Sequence, residues 1–576
     1  MKKVLIAAAV VAAGAAGYWV SQDKGASGEA DLILASVPSD TPLFSAQLTP
    51  FPIKSYINSV SQNYQAYGDD VFAELEESED TRAKFMLSLT QTYMESLESG
   101  EKFVSTFGLP EKMRSYFYTL GLLPVIKLEV EEPKAVWAVL DKAEKESGFT
   151  HEKKTVKGVE YRSYSMTDVG ETETIDLLFA IADGILTVTF DSSFSQPETL
   201  ETALGLAPVA NSLADSGILN DIMKTHGFSG DGIGYLNHQE IVRAITTKDG
   251  NQLARQLTAF AEQEGEDPFA IVRSNECHTE LSSIAANWPR TVFGVNNLSI
   301  SDTKSHMELE TIVESKNKLV LDALSSMRGF IPDYVSQSNS SVFSMGLGID
   351  LNELVPSLTS IWDDMLTPQY QCQVLQEMQG EMSGQSPAML GMFTGMANGV
   401  KGIAASVIDY KFSDDQDNPA LESVDAIISL SADNPSMLFN MVKPFAPELA
   451  DIELKDNGEP VDLSYLLPLP PEFGVKPKMA VKGNHLVIFS GEKGEAKAEE
   501  LAAETLKSNG LYTATVDYGK MIMPLVALAE LSGEPMPEEL AMMKDYNMQL
   551  KMSLDINQQG IVFDSVVDNK ATPAGQ

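Results

Sequence analysis

The sequence predicts an α+β fold: two tandem, duplicated modules of mostly antiparallel sheet with amphipathic helices on one face, preceded by one N-terminal hydrophobic helix. Three observations predict it. The first is a hairpin that occurs twice. Ala180 to Phe190 reads as strand, Asp183-Gly184 turn, strand, and Ala480 to Phe489 repeats the pattern around Gly483-Asn484. Both turns supply the positive φ that two-residue hairpins need. The second is the order of landmarks around the hairpins. Phe44/Phe343, Leu128/Leu430 and the hairpins themselves recur at offsets of 299, 302 and 300. The third is length, since 576 residues exceed one ordinary core.

The N-terminus comes first in the chain. Lys2-Lys3 precedes Val4 to Val20, 17 residues without a charge. Such a run is a Sec-type export signal, and as a helix it would extend about 26 Å, close to a bilayer core. Small residues at Gly14 to Gly17 suit cleavage. Tyr18-Trp19 suits an interfacial belt and an uncleaved anchor. The expectation is a signal peptide or anchor over 1–22, with the inner membrane as its partner and everything after Val20 in the periplasm. Residues 23–36 read as a polar, Gly/Ser/Ala-rich linker.

The first module is expected over 37–318. It opens at Val37-Pro38-Ser39-Asp40-Thr41-Pro42 and a strand from Leu43. A second strand, Pro124 to Val130, runs into a helix begun by Pro133. Val136, Trp137, Leu140 and Ala143 share one face of that helix. Residues 319–340 read as a connecting helix and linker, 341–570 as the second module and 571–576 as a disordered tail. In the second module Phe439 takes the place of Trp137 and Val442 that of Leu140. Each module closes on a strand pair: Val295 to Ile300 with Met307 to Val313, and Gln549 to Ile556 with Gly560 to Val567. A strand followed by Asn or Asp and a helix recurs at Asn237, Asp350 and Asp517. A short polar side chain there caps a helix N-terminus, which is preferred to a metal or catalytic role. The alternating apolar residues of both hairpins read as core.

Charge and motifs narrow the function. With 82 acidic against 41 basic residues, net −41, the chain repels nucleic acid and anionic membrane surface. No Gly-x-Ser-x-Gly occurs, and Ser301-Asp302-Thr303-Lys304 reads as a hairpin turn. The six histidines lack ligand spacing, and Ser413 to Asn418 lacks the Gly and Glu of a calcium loop. No phosphate-cradling glycine loop is present. No catalytic, cofactor or metal residue is therefore assigned.

Two features remain. Cys277 and Cys372 are the only cysteines. In an oxidising compartment they are expected to pair, joining the end of the first module to the start of the second. Met378, Met382, Met389, Met392 and Met396 cluster in the chain, and no charge occurs from Ser383 to Val400. They read either as helix core or as a plastic surface for an apolar ligand or partner. The function expected is a non-enzymatic, periplasm-facing envelope protein with a binding or scaffolding role. The alternative is a carrier or chaperone for lipid or another apolar ligand in a groove between sheet and helices.

The Val37-Pro38-Ser39-Asp40-Thr41-Pro42 stretch resembles a family of uncharacterised, exported Gram-negative envelope proteins. Their mature part begins with a Val-Pro-Ala-Asp-Thr-Pro-like turn and a strand. The patterns Leu128 to Leu140 and Ala180 to Phe190 are also similar. Ser39 departs from the alanine usual there. The resemblance implies an envelope location and carries no activity or site residues.

Overall fold

A computed structural model describes residues 29–64, 78–167, 174–337, 341–413, 421–466, 475–532, 536–537, 540 and 547–570. The fold is α+β, with extensive antiparallel sheet. Its contacts divide the chain into two compact units. Unit 1 takes the chain up to Glu314 together with Tyr370–Gln376; unit 2 takes Ser315–Gln369 and Glu377–Asn569. The apolar run at 4–20 lies outside the described residues, as do the tail 571–576 and the acidic turn 414–418. Among the described residues no helix is long and apolar enough to cross a membrane.

Unit 1 contains β1 (Leu43–Phe51), β2 (Met113–Leu120), β3 (Leu123–Glu129), β4 (Glu152–Val156), β5 (Val159–Ser165), β6 (Ile175–Ala182), β7 (Ile185–Ser192), β8 (Ile233–Asn237), β9 (Arg290–Ser301) and β10 (Lys304–Glu314). Every pairing among them is antiparallel, and they lie in the order β4-β5-β6-β7-β3-β2-β1-β8-β9-β10. The β6–β7 turn places Asp183 at φ 50° and Gly184 at φ 77°, as a right-twisted two-residue hairpin requires. Alternation then sends the hairpin's side chains to opposite faces. Leu177, Phe179, Val188 and Phe190 pack beneath helices Thr81–Ser96 and Pro133–Ser147, around Phe85, Leu140, Ala143 and Tyr164. Ala180, Ala182 and Thr187 point the other way.

Unit 2 contains β11 (Phe343–Leu347), β12 (Val400–Phe412), β13 (Leu421–Ala432), β14 (Val461–Asp462), β15 (Lys478–Lys482), β16 (His485–Ser490), β17 (Tyr512–Asp517), β18 (Met548–Ile556) and β19 (Gly560–Lys570). Their order is β14-β15-β16-β13-β12-β11-β17-β18-β19, again antiparallel throughout. Gly483, at φ 57°, opens the β15–β16 turn.

One face of this sheet carries the core, where Ala404, Ile427, Val487 and Phe489 meet Phe330, Ile331, Tyr334, Val335 and helix Gly491–Leu501. Four of those core residues come from 319–340, the stretch expected as a connector. Their burial makes it part of unit 2: an apolar Phe-Ile-Pro-Asp-Tyr-Val run must leave water once a sheet face is available. Val442, expected in the place of Leu140, is half exposed, while Phe439 is buried.

The capping expectation holds in geometry. Asn237 Oδ1 accepts from Glu240 N at 3.2 Å, Asp350 Oδ1 from Asn352 N at 3.0 Å, and Asp517 Oδ1 from Lys520 N at 3.0 Å. Ser301 and Lys304 end β9 and begin β10, so the Ser-x-x-Lys stretch is a hairpin turn.

Candidate functional site

Lys127 stands near the end of β3, where alternation puts it on the same face as Val125. Its neighbours across the sheet are Tyr116 on β2 and Thr187 on β7. Next to Thr187 on β6 is Ala180, and next to Ile185 is Ala182. Two alanines at adjacent same-face positions leave room that larger residues would fill. The chain closes over this gap with helix Glu29–Leu34 and with Leu204–Leu206. The result is a half-enclosed cavity of about 730 Å³ within unit 1.

Its wall is mainly apolar: Leu32, Ile33, Val130, Ile185 and Leu206 join the two alanines. The volume falls inside the range of about 300–1,000 Å³ usual for small-molecule sites. Residues 23–36, expected as linker, thus contribute a helix whose Leu34 is buried and whose Leu32 and Ile33 line the cavity. Apolar Leu32-Ile33-Leu34 was the available signal.

Polar and charged side chains share the wall with these apolar ones. Arg114 Nη1 donates to Glu129 Oε1 at 2.7 Å and Arg114 N donates to Glu129 Oε2 at 2.7 Å, so this pair is mutually neutralised. Lys127 is only 4% exposed. Its ammonium donates to Thr187 Oγ1 at 3.1 Å. No carboxylate among the described residues stands within ion-pair distance of it. Burial alone pushes its pKa down from 10.5 to about 8. Lys112, Glu131 and Asp183 are exposed and stand at the rim.

The predicted disulfide is present. Cys277 and Cys372 are bonded, with Cα atoms 4.5 Å apart. The bond lies inside unit 1, since Tyr370–Gln376 belongs to it by contacts. This differs from a link between modules. The cause is a local apolar cluster in which Val272, Leu281, Tyr370, Val374 and Leu375 surround both sulfurs. Glu280 reinforces it by accepting from Gln371 N at 2.8 Å and Cys372 N at 3.0 Å.

Of the five methionines of the second candidate, three have described side chains. Met378 is exposed on helix Gln373–Ser383, Met382 is half-buried, and Met389 is 72% exposed. The side chains of Met392 and Met396 lie outside the described residues. The 3-10 turn Pro387–Leu390 packs on helix Leu351–Leu366. A feature without a local sequence signal is the second face of the unit 2 sheet. Phe343, Met345, Leu347, Ile403, Ile428, Met552 and Phe563 stand there at 38–49% exposure. Among the described residues no group of three or more His, Cys, Asp or Glu is arranged to hold a metal ion.

No known protein family matches the chain, and no curated protein matches it. Among solved structures it is similar to the one titled "Structure of crystal form III of TP0453", at 11% identity and a TM-score of 0.24. That alignment covers 52% of this chain and 88% of the other.

Proposed function

We propose that the protein is a non-enzymatic binding protein of the Gram-negative envelope, facing the periplasm, whose first module carries a lipid or similar apolar ligand. The observation that carries this reading is the cavity of about 730 Å³, lined by Leu32, Ile33, Val130, Ala180, Ala182 and Leu206. An aliphatic chain placed there would leave water, and burial of apolar surface yields about 25 cal/mol per Å². The periplasmic location rests on the apolar run at 4–20, read as a signal or inner-membrane anchor. The Val37 to Pro42 resemblance and the disulfide agree with it.

We read the two units as copies of one module. In support, eight strands follow one another in equivalent order: β6-β7-β3-β2-β1-β8-β9-β10 beside β15-β16-β13-β12-β11-β17-β18-β19. The cross-strand register aligns Phe44, opposite Tyr118 and Tyr235, with Ser344, opposite Ser406 and Thr515. Tyr235 and Thr515 each precede a capping residue by two positions. The β1/β11 offset in this comparison is therefore 300, and Phe343 falls beside Leu43.

Native mass spectrometry of the full chain after gentle extraction tests the function. The expected spectrum carries one amphiphile-sized adduct per chain, lost on delipidation and regained on adding lipid. A bare chain mass that no lipid shifts would contradict it.

A further inference from the structure

We propose that the cavity of unit 1 selects an amphiphile with a carboxylate headgroup, a free fatty acid, and that Lys127 is the headgroup's counter-ion. The inference rests on the apolar-ligand reading above and adds the chemistry of the head.

Three observations lead to it. The first is that Lys127 is the one buried cation of the wall whose charge no side chain of the wall balances. Arg114 already holds Glu129 in two hydrogen bonds, whereas the Lys127 ammonium has the Thr187 hydroxyl at 3.1 Å. That hydroxyl takes one of the ammonium's hydrogens and brings no charge. An ammonium carries three donors. A carboxylate reaching this point would take an open donor and cancel the charge in a site where water screens little.

The second is the composition of the rest of the wall. Besides Lys127 the wall includes Ala180, Ala182, Val130, Leu206, Leu32 and Ile33, an apolar surface for an alkyl chain, together with the paired Arg114 and Glu129 and the exposed Lys112, Glu131 and Asp183. One unbalanced buried cation beside that apolar surface is the combination that a fatty acid's carboxylate and chain would meet.

The third is the corresponding place in unit 2. There the strand position that faces β16 across β13 holds Ser429, opposite Val487. Tyr334 fills the space above it, its hydroxyl 2.9 Å from Ser429 Oγ. Unit 2 therefore meets its buried polar group with its own chain. Unit 1 leaves a cavity and an ammonium. The depressed pKa of Lys127, pushed to about 8 by burial, agrees with a group awaiting a counter-ion.

The test uses delipidated full-length protein titrated calorimetrically with laurate and with dodecanol, each below its aggregation concentration. The wild type is expected to bind laurate roughly tenfold or more tightly than dodecanol, because only the acid pairs with a desolvated ammonium. Lys127→Met is expected to lose that preference while keeping dodecanol affinity. A thermal melt no lower than the wild type's would show that the variant is folded. Equal affinity for the two ligands in the wild type, or undiminished laurate binding in Lys127→Met, overturns the headgroup assignment and leaves the apolar-ligand reading standing. Binding of neither ligand overturns both.

Discussion

Lys127→Met is expected to raise the stability of the ligand-free protein by about 3 kcal/mol at pH 7, because the fall of the ammonium pKa from 10.5 to about 8 measures what burial costs the charged form. The sign follows from proton counts. Below about pH 8 both folded and unfolded chains hold the proton, and the full cost is present. Between about pH 8 and 10.5 the unfolded chain keeps the proton that the folded chain has released. The unfolded state then binds more protons, so wild-type stability rises with pH across that window. The advantage of methionine should shrink over the same range and be gone near pH 10.5. Denaturant titrations of both proteins at pH 7, 9 and 10.5 measure it. A variant equal to or weaker than wild type at pH 7 would show that Lys127 is already compensated. Saturating laurate should reverse the order of the two proteins, since only wild type has a cation to pair with the ligand.

The second large effect belongs to the disulfide. Replacing both cysteines, Cys277→Ala with Cys372→Ala, is expected to cost roughly 3–5 kcal/mol. The bond spans a sequence separation of 95 residues, so it removes a large loop from the unfolded ensemble. Both cysteines are almost fully buried, and the alanines also leave small gaps among Leu281, Tyr370 and Leu375. The Glu280 hydrogen bonds to the 371–372 backbone remain and offset part of the loss. Chemical denaturation of the double variant reads the difference. A loss below about 1 kcal/mol would mean that the unfolded chain is already compact around this loop.

Much of the architecture is legible in the chain because its signals are local. Asp183-Gly184 and Gly483-Asn484 specify turns whatever surrounds them. Alternation in Ala180 to Phe190 specifies two faces. Asn237, Asp350 and Asp517 cap helices through bonds reaching two or three residues. The site is legible only in part, because it is assembled from distant pieces. Within Pro124 to Val130, Lys127 looks like a solvent-facing residue of an alternating strand. Nothing nearby reveals that Val125, on the same face, is fully buried. Nor does the strand reveal that Thr187, sixty residues on, is its sheet neighbour. Ala180 and Ala182 read as ordinary core; their small size matters only because helix Glu29–Leu34 bridges the gap instead of filling it. The Cys277 and Cys372 pairing follows from there being only two thiols in the chain. That it closes within unit 1 depends on where Tyr370–Gln376 docks, which three-dimensional contacts decide.

An apolar ligand is expected to occupy the cavity on the hairpin face of unit 1. Photolabelling locates it most directly: a fatty acid carrying a diazirine on its chain, added to delipidated full-length protein, irradiated and mapped by peptide mass spectrometry. Saturable labelling of peptides containing Leu32–Ile33, Ala180–Thr187 and Leu204–Leu206, suppressed by excess laurate, is the expected result. Labelling confined to the exposed strip of Phe343, Met345 and Leu347, or labelling that excess laurate leaves unchanged, would contradict it.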